Sequence, residues 1–131
     1  MSGTDIENAV LAAAGAIVRD FGSHETAAYF SGFAEDASFL FYTVAARLDS
    51  RAAYEALWAQ WEKESGFRVH GCQSTNQLVT VRGEIAIFTH DVETRVEMEG
   101  AHHTLLERES IVFERRHERW LAVHEHLSPK P

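Results

Sequence analysis

From Phe67 onward the chain reads as an unbroken succession of β-strands, and no other feature constrains the fold as much. Strands are expected over Phe67–Val81, Glu84–Met98, Ala101–Glu114 and Trp120–Leu127, with short turns at Arg82-Gly83, at Glu99-Gly100 and around His117-Glu118. Glycine at the second turn position suits the tight hairpin types whose twist matches the flanking strands. Strands joined this closely pair antiparallel, since a parallel return needs a long crossover. The last strand ends in His124-Glu125-His126, the densest group of titratable side chains in the chain.

Alternation assigns faces, because successive side chains on a strand point to opposite sides. On the second long strand Ala86, Phe88, His90, Val92, Thr94, Val96 and Met98 share one side; Thr89, Asp91, Glu93, Arg95 and Glu97 share the other. The first set is the more apolar, so it should face the helices and carry His90 with it. With Glu99-Gly100 as a two-residue turn, Met98 pairs with Ala101 and His90 lies directly opposite Glu109. Opposed side chains interact, which predicts an imidazole–carboxylate pair on the concave face. Such a pair serves either as a general base with its orienting partner or as a satisfied structural pair.

The last strand admits two registers. A two-residue turn at His117-Glu118 places His124 and His126 inward beside Glu109, whereas a longer or bulged turn places Glu125 inward instead. In the second case Trp120 and Ala122 lie on the outer sheet face, a natural contact surface for a homodimer. His124-x-His126 also offers two metal-type donors. No third ligand has a spacing that forces convergence, so no metal is expected. Cys72 has no local basic partner and reads as a small buried hydrophobe.

Ahead of the strands lie three helical stretches. Thr4-Asp5-Ile6-Glu7 has the pattern of a capping box, and apolar residues recur at helical spacing from Ile6 to Phe21, with Gly22 as the stop. Ser23 is the expected cap of a second, shorter helix burying Ala27, Phe30, Phe33 and Ala34. A strand over Ala37–Val44 follows, with Ala45–Leu48 as a short return. The third helix, Arg51–Ser65, is closed by Gly66 and turns Tyr54, Leu57, Trp58 and Trp61 to one face. The order predicts an α+β fold: an antiparallel sheet with three helices packed on its concave face. Residues 1–128 fit one domain, with 129–131 as a short tail.

Composition narrows the partners. A net charge of −8 argues against a phosphate-tracking surface, so no nucleic-acid partner is expected. No apolar run is long enough to cross a bilayer, and no membrane partner is expected. A single cysteine and the absence of a basic leader suit a reducing compartment, the cytoplasm. There is no Gly-rich phosphate loop and no Ser-centred elbow, and no cofactor is expected.

Three stretches together carry a resemblance to a known family. Tyr29-Phe-Ser-Gly-Phe-Ala-Glu-Asp-Ala-Ser-Phe39, the helix Arg51–Trp61 and the ending Trp120-Leu-Ala-Val-His-Glu-His-Leu-Ser128 resemble the SnoaL-like branch of the nuclear transport factor 2-like superfamily. The ending is also similar to the close of the kinase II association domain. The resemblance implies a cone-shaped, cystatin-like fold with a strongly bent sheet, a pocket inside the cone and dimers through the sheet. The family hosts cyclases, isomerases and dehydratases as well as non-enzymatic binding and assembly domains, so the fold leaves function open. The tyrosine of its ketosteroid isomerases would fall near Ile17 and their proton-moving aspartate near Phe41, so that chemistry is not expected here. Only their second acid has a match, at Glu109. In the related association domains the pocket-facing residues of the last strand match Glu125 and Leu127, which favours His90, Glu109 and Glu125 inward.

Two functions follow. The first is a pocket protein for a small hydrophobic or polar organic ligand, acting as an isomerase, cyclase or hydrolase by acid–base chemistry. There His90 is the acid or base, Glu109 its orienter, Glu125 a second carboxyl or polar anchor, and Tyr42 and Trp58 are pocket walls. The second is a non-catalytic association or ligand-binding domain in which the His90–Glu109 pair is structural.

Overall fold

The computed structural model describes residues 2–131. Helix α1 (Gly3–Gly22) is followed by α2 (Thr26–Ser31), strand β1 (Phe33–Phe41) and helix α3 (Arg51–Ser65). Strands β2 (Arg68–Arg82), β3 (Ile85–Met98), β4 (Ala101–Arg116) and β5 (Arg119–Pro129) complete the chain. They form one five-stranded sheet in the order β1-β5-β4-β3-β2. This is the expected α+β architecture of a curved sheet covered by helices. One pairing departs from antiparallel: β1 lies parallel to β5, because the long path through α3 and the meander returns the chain in the same direction.

Local chemistry accounts for the helix ends. Ser2, rather than Thr4, caps α1, its hydroxyl accepting from the Asp5 N–H at 3.2 Å. Gly22 is still helical, and His24 takes the left-handed turn instead, with φ 55°. Gly22 serves a different purpose: a Cβ there would lie 3.0 Å from the Cys72 backbone nitrogen, so glycine lets α1 press against β2. Helix α2 begins only at Thr26, without a side-chain cap, and Phe33 and Ala34 belong to β1 instead. Helix α3 matches its expected span, with Ser50 capping Ala53 N–H and Gly66 left-handed at its end.

The core lies between the helices and the concave sheet face. Ala86, Phe88, Val92 and Val96 are buried on β3, with Ile111 and Phe113 opposite them on β4. Tyr54 and Trp58 press down from α3, meeting Tyr29 and Phe30 of α2 at ring distances of 4.9 to 6.0 Å. Such tilted and edge-on pairs add to what their buried area contributes. The chain end is less free than expected: β5 runs to Pro129, and Lys130 reaches Asp91 at 3.1 Å.

The β3–β4 register is the expected one, Met98 facing Ala101 and His90 facing Glu109. The β4–β5 register corrects the sequence reading. The turn at His117-Glu118 has two residues, since Arg116 pairs with Arg119. The extra residue sits inside the strand at Val123, because Phe113 pairs with Ala122 and Val112 with His124. A bulge shifts everything beyond it to the other face. Trp120 and Ala122 therefore point inward with the core, and so does Glu125, while His126 is exposed. The outer face is not the one built on Trp120 and Ala122.

Candidate functional site

A cavity of about 240 Å³ lies inside the curve of the sheet. Ile17 and Phe21 of α1, Trp61 of α3, Val92 and Val96 of β3 and Leu127 of β5 give it apolar walls. Three carboxyls form the polar wall: Glu107 and Glu109 of β4 and Glu125 of β5. Two-residue spacing keeps Glu107 and Glu109 on one face. The Val123 bulge brings Glu125 opposite Ile111, diagonal to Glu109 on that same face. All three are buried.

Burial sets the protonation. The Glu125 carboxyl is held well above the usual carboxylate range, first by loss of solvent and then by the charge of Glu109. Glu109 is also raised by burial, against a hydrogen bond from Glu125 that favours its charged form. Burial and the repulsion between two adjoining carboxyls thus favour one proton held by the pair, with Glu125 the more strongly raised of the two. Glu125 Oε1 has no hydrogen-bond partner. Glu107 is raised by burial and steadied by the Tyr42 hydroxyl, which donates to its Oε2 at 2.6 Å.

Behind Glu109 runs a file of hydrogen bonds to the surface. Exposed Gln77 Nε2 donates to Ser74 Oγ at 2.9 Å, and Ser74 Oγ lies 2.6 Å from His90 Nδ1, to which its hydroxyl donates when the neutral ring carries its proton on Nε2. His90 Nε2 then carries the ring proton and donates to Glu109 Oε1 at 2.7 Å. Burial keeps the ring neutral, lowering its pKa to about 4. This is the neutral tautomer that the Ser74 donor requires.

The expected residues take different stations. Glu109 and Glu125 face the cavity together. His90, only 2% exposed, is bonded to Glu109 but stands behind the wall, so the carboxyls and not the imidazole border the cavity. Tyr42 is 46% exposed and reaches the site only through Glu107. Trp58 is sealed in the core against Tyr29, Phe30 and Phe67, and its Nε1 has no partner. Trp61 is the tryptophan of the cavity wall. His124 is tied outside to Ser38, Nδ1 to Oγ at 2.8 Å.

Sequence reasoning missed Glu107, Ser74 and a hydroxyl pair, Tyr29 to Tyr54 at 2.9 Å, that also borders the cavity. Glu107 could have been found by extending the alternation of Glu109, Ile111 and Phe113 back one step. Ser74 could not, because the bulge between Thr75 and Leu78 hides its register. Among the described residues, three metal-type donors converge at His70, Glu97 and His102, all within 4.8 Å of one another. That cluster is away from the cavity, with His70 and His102 exposed, and the His124–His126 pair has no part in it.

The fold defines the class, an α+β domain with helices on a curved sheet, and comparison with known proteins supplies the family. The model of the SnoaL-like domain matches residues 10–130, and the chain belongs to that family. No curated protein matches it. An NTF2-like protein of Cytophaga hutchinsonii is similar in structure, with a TM-score of 0.80 at 8% identity over 99% of this chain and 100% of that one. A protein of Exiguobacterium sibiricum, provisionally named as a Ca/calmodulin-dependent kinase II association domain, aligns with a TM-score of 0.81 at 14% identity over 100% and 98%. An NTF2-like protein of unknown function from Pseudomonas putida gives 0.77 at 15% identity over 98% and 89%. At these identities the likeness is one of fold.

Proposed function

We propose that this domain binds a small, largely apolar organic molecule in its cavity, and that the Glu109–Glu125 pair exchanges a proton with it. The observation that carries the reading is Glu125: a buried carboxyl on the cavity wall with Oε1 unpartnered. An unsatisfied buried polar group costs about 1–3 kcal/mol, which an apolar residue would avoid. A ligand that bonds to Oε1 accounts for its presence. Glu109 is the base, oriented by His90, and Glu125 is the acid. This exchanges the roles that alternation alone suggested for His90 and Glu109. The cavity is below the usual range of about 300–1,000 Å³, so the ligand is compact.

The test is a fragment screen by protein NMR on the wild type and Glu125→Gln. Bound fragments should shift resonances of Phe21, Trp61, Val92 and Leu127, and the substitution should weaken the polar ones. Hits that cluster elsewhere, or none at all, would count against the reading.

One observation favours the second reading, an association domain. Leu40, Leu78, Ile87 and Leu106 are large apolar residues at 38 to 61% exposure, and β3 and β4 turn Ile87 and Leu106 to the outer sheet face. Such a face suits a homodimer, which sedimentation of the wild type and Leu106→Lys would reveal. The single cysteine, Cys72, has no partner for an internal disulfide, which suits a reducing setting such as the cytoplasm. No helix among the described residues is long and apolar enough to cross a membrane.

A further inference from the structure

The cavity's polar wall is unusual in its sign. Glu107, Glu109 and Glu125 all border it, and no Lys, Arg or His is among its lining side chains. Their known partners do not balance the charge. Tyr42 gives Glu107 a neutral hydroxyl, and His90 gives Glu109 a neutral ring N–H fixed by the donor Ser74. Buried charge is normally paired, because a carboxylate out of water is costly without a counter-charge. One polar atom in this wall also has no partner at all, Glu125 Oε1. A donor group on the occupant would satisfy that oxygen.

We infer that the occupant of this cavity is a hydrophobic amine: a compact apolar body with one ammonium group placed between Glu125, Glu109 and Glu107. This rests on the pocket reading above and names its ligand class. The apolar walls take the body, and the ammonium supplies the missing donor and a fixed positive charge in place of the proton that the acids otherwise share. Carboxylate ligands are disfavoured, since they would add a further anion beside three acids. Neutral alcohols satisfy Oε1 but leave the charge unbalanced. As the ammonium enters, the proton shared by Glu109 and Glu125 leaves to solvent, so binding tightens as pH rises towards the pKa of the amine.

The experiment uses three probes of nearly equal shape: phenethylamine, 2-phenylethanol and phenylacetate. Each is titrated into the intact chain at pH 6 and pH 8 and followed by NMR of the cavity residues. The amine should bind at least tenfold tighter than the alcohol at pH 8, with a smaller advantage at pH 6, and phenylacetate should bind weakest. Glu109→Gln removes the charge at constant shape and should cut the amine's advantage to under threefold. The wild-type comparison stands without that variant if it fails to fold. An alcohol that binds as well as the amine, or a preference for phenylacetate, overturns the amine while leaving the pocket reading intact. Silence from all three up to about 10 mM overturns both, since a well-seated ligand of this size should bind more tightly than that.

Discussion

His90 Nε2 lies 2.7 Å from Glu109 Oε1, and the two residues face each other across the β3–β4 ladder with the imidazole sealed from solvent. The imidazole is held from both sides. Ser74 fixes Nδ1, Glu109 takes the Nε2 proton, and the carboxylate is thereby aimed at the cavity. Replacing His90 by Ala leaves a cavity and strips a buried carboxyl of its donor, so stability should fall by on the order of 3 kcal/mol. Ser74→Ala should cost about 1 kcal/mol in the wild type. In the His90→Ala background it should cost almost nothing, because its partner is gone. Urea denaturation of the four proteins measures this coupling.

The pH dependence of stability is governed by opposed shifts. Glu125 is raised above its ordinary 4.5, so the native state keeps a proton that the unfolded chain gives up. Its contribution is present below pH 4.5 and is lost as pH rises through the folded pKa. His90 is lowered from 6.5 to about 4, so its contribution is present above 6.5 and is lost as pH falls towards 4. Glu125→Gln removes the first effect and leaves the buried imidazole in place. The variant and wild type should be equally stable near pH 4, and the variant should gain as pH rises, by up to about 1.4 kcal/mol per unit at the steepest. A constant difference across pH 4–8 would contradict the assignment.

Trp58 and Trp61 separate core from wall. Trp58→Ala should cost about 3–5 kcal/mol. Trp58→Phe should cost less, since no Nε1 hydrogen bond is lost, and should leave fragment binding unchanged. Trp61→Ala should change fragment binding more than stability, because it enlarges the cavity. Denaturation and NMR titration of the same three variants make the comparison.

These outcomes also show where a sequence speaks and where it falls silent. The pairing of His90 with Glu109 was legible because a two-residue turn fixes register and alternation carries it unchanged for fourteen paired positions. The station of Glu125 was not, because one extra residue at Val123 reverses the face, and nothing local marks a bulge. The resemblance of the last strand placed Glu125 and Leu127 inward correctly, yet the reading put Trp120 and Ala122 outside by locating the irregularity in the turn. Helix α3 was legible to the residue, since Ser50 and Gly66 mark both its ends. Its spacing could not tell Trp58 from Trp61. Both lie on the stripe, and only the path of Phe67 and the α2 rings decides which is sealed. The hydroxyl pair of Tyr29 and Tyr54 joins two helices far apart in the chain, a meeting that no local pattern records.

A proton held by the buried acids Glu109 and Glu125 at the cavity wall is central to the proposed function. The most direct measurement is a ¹³C NMR titration of the glutamate side-chain carboxyls, with Glu125→Gln and Glu109→Gln used for assignment. The Glu125 signal should titrate well above the ordinary 4.5, and Glu109→Gln should lower its midpoint by removing the neighbouring charge. A Glu125 midpoint at the ordinary value, unmoved by Glu109→Gln, would contradict the pair and with it the function built on it.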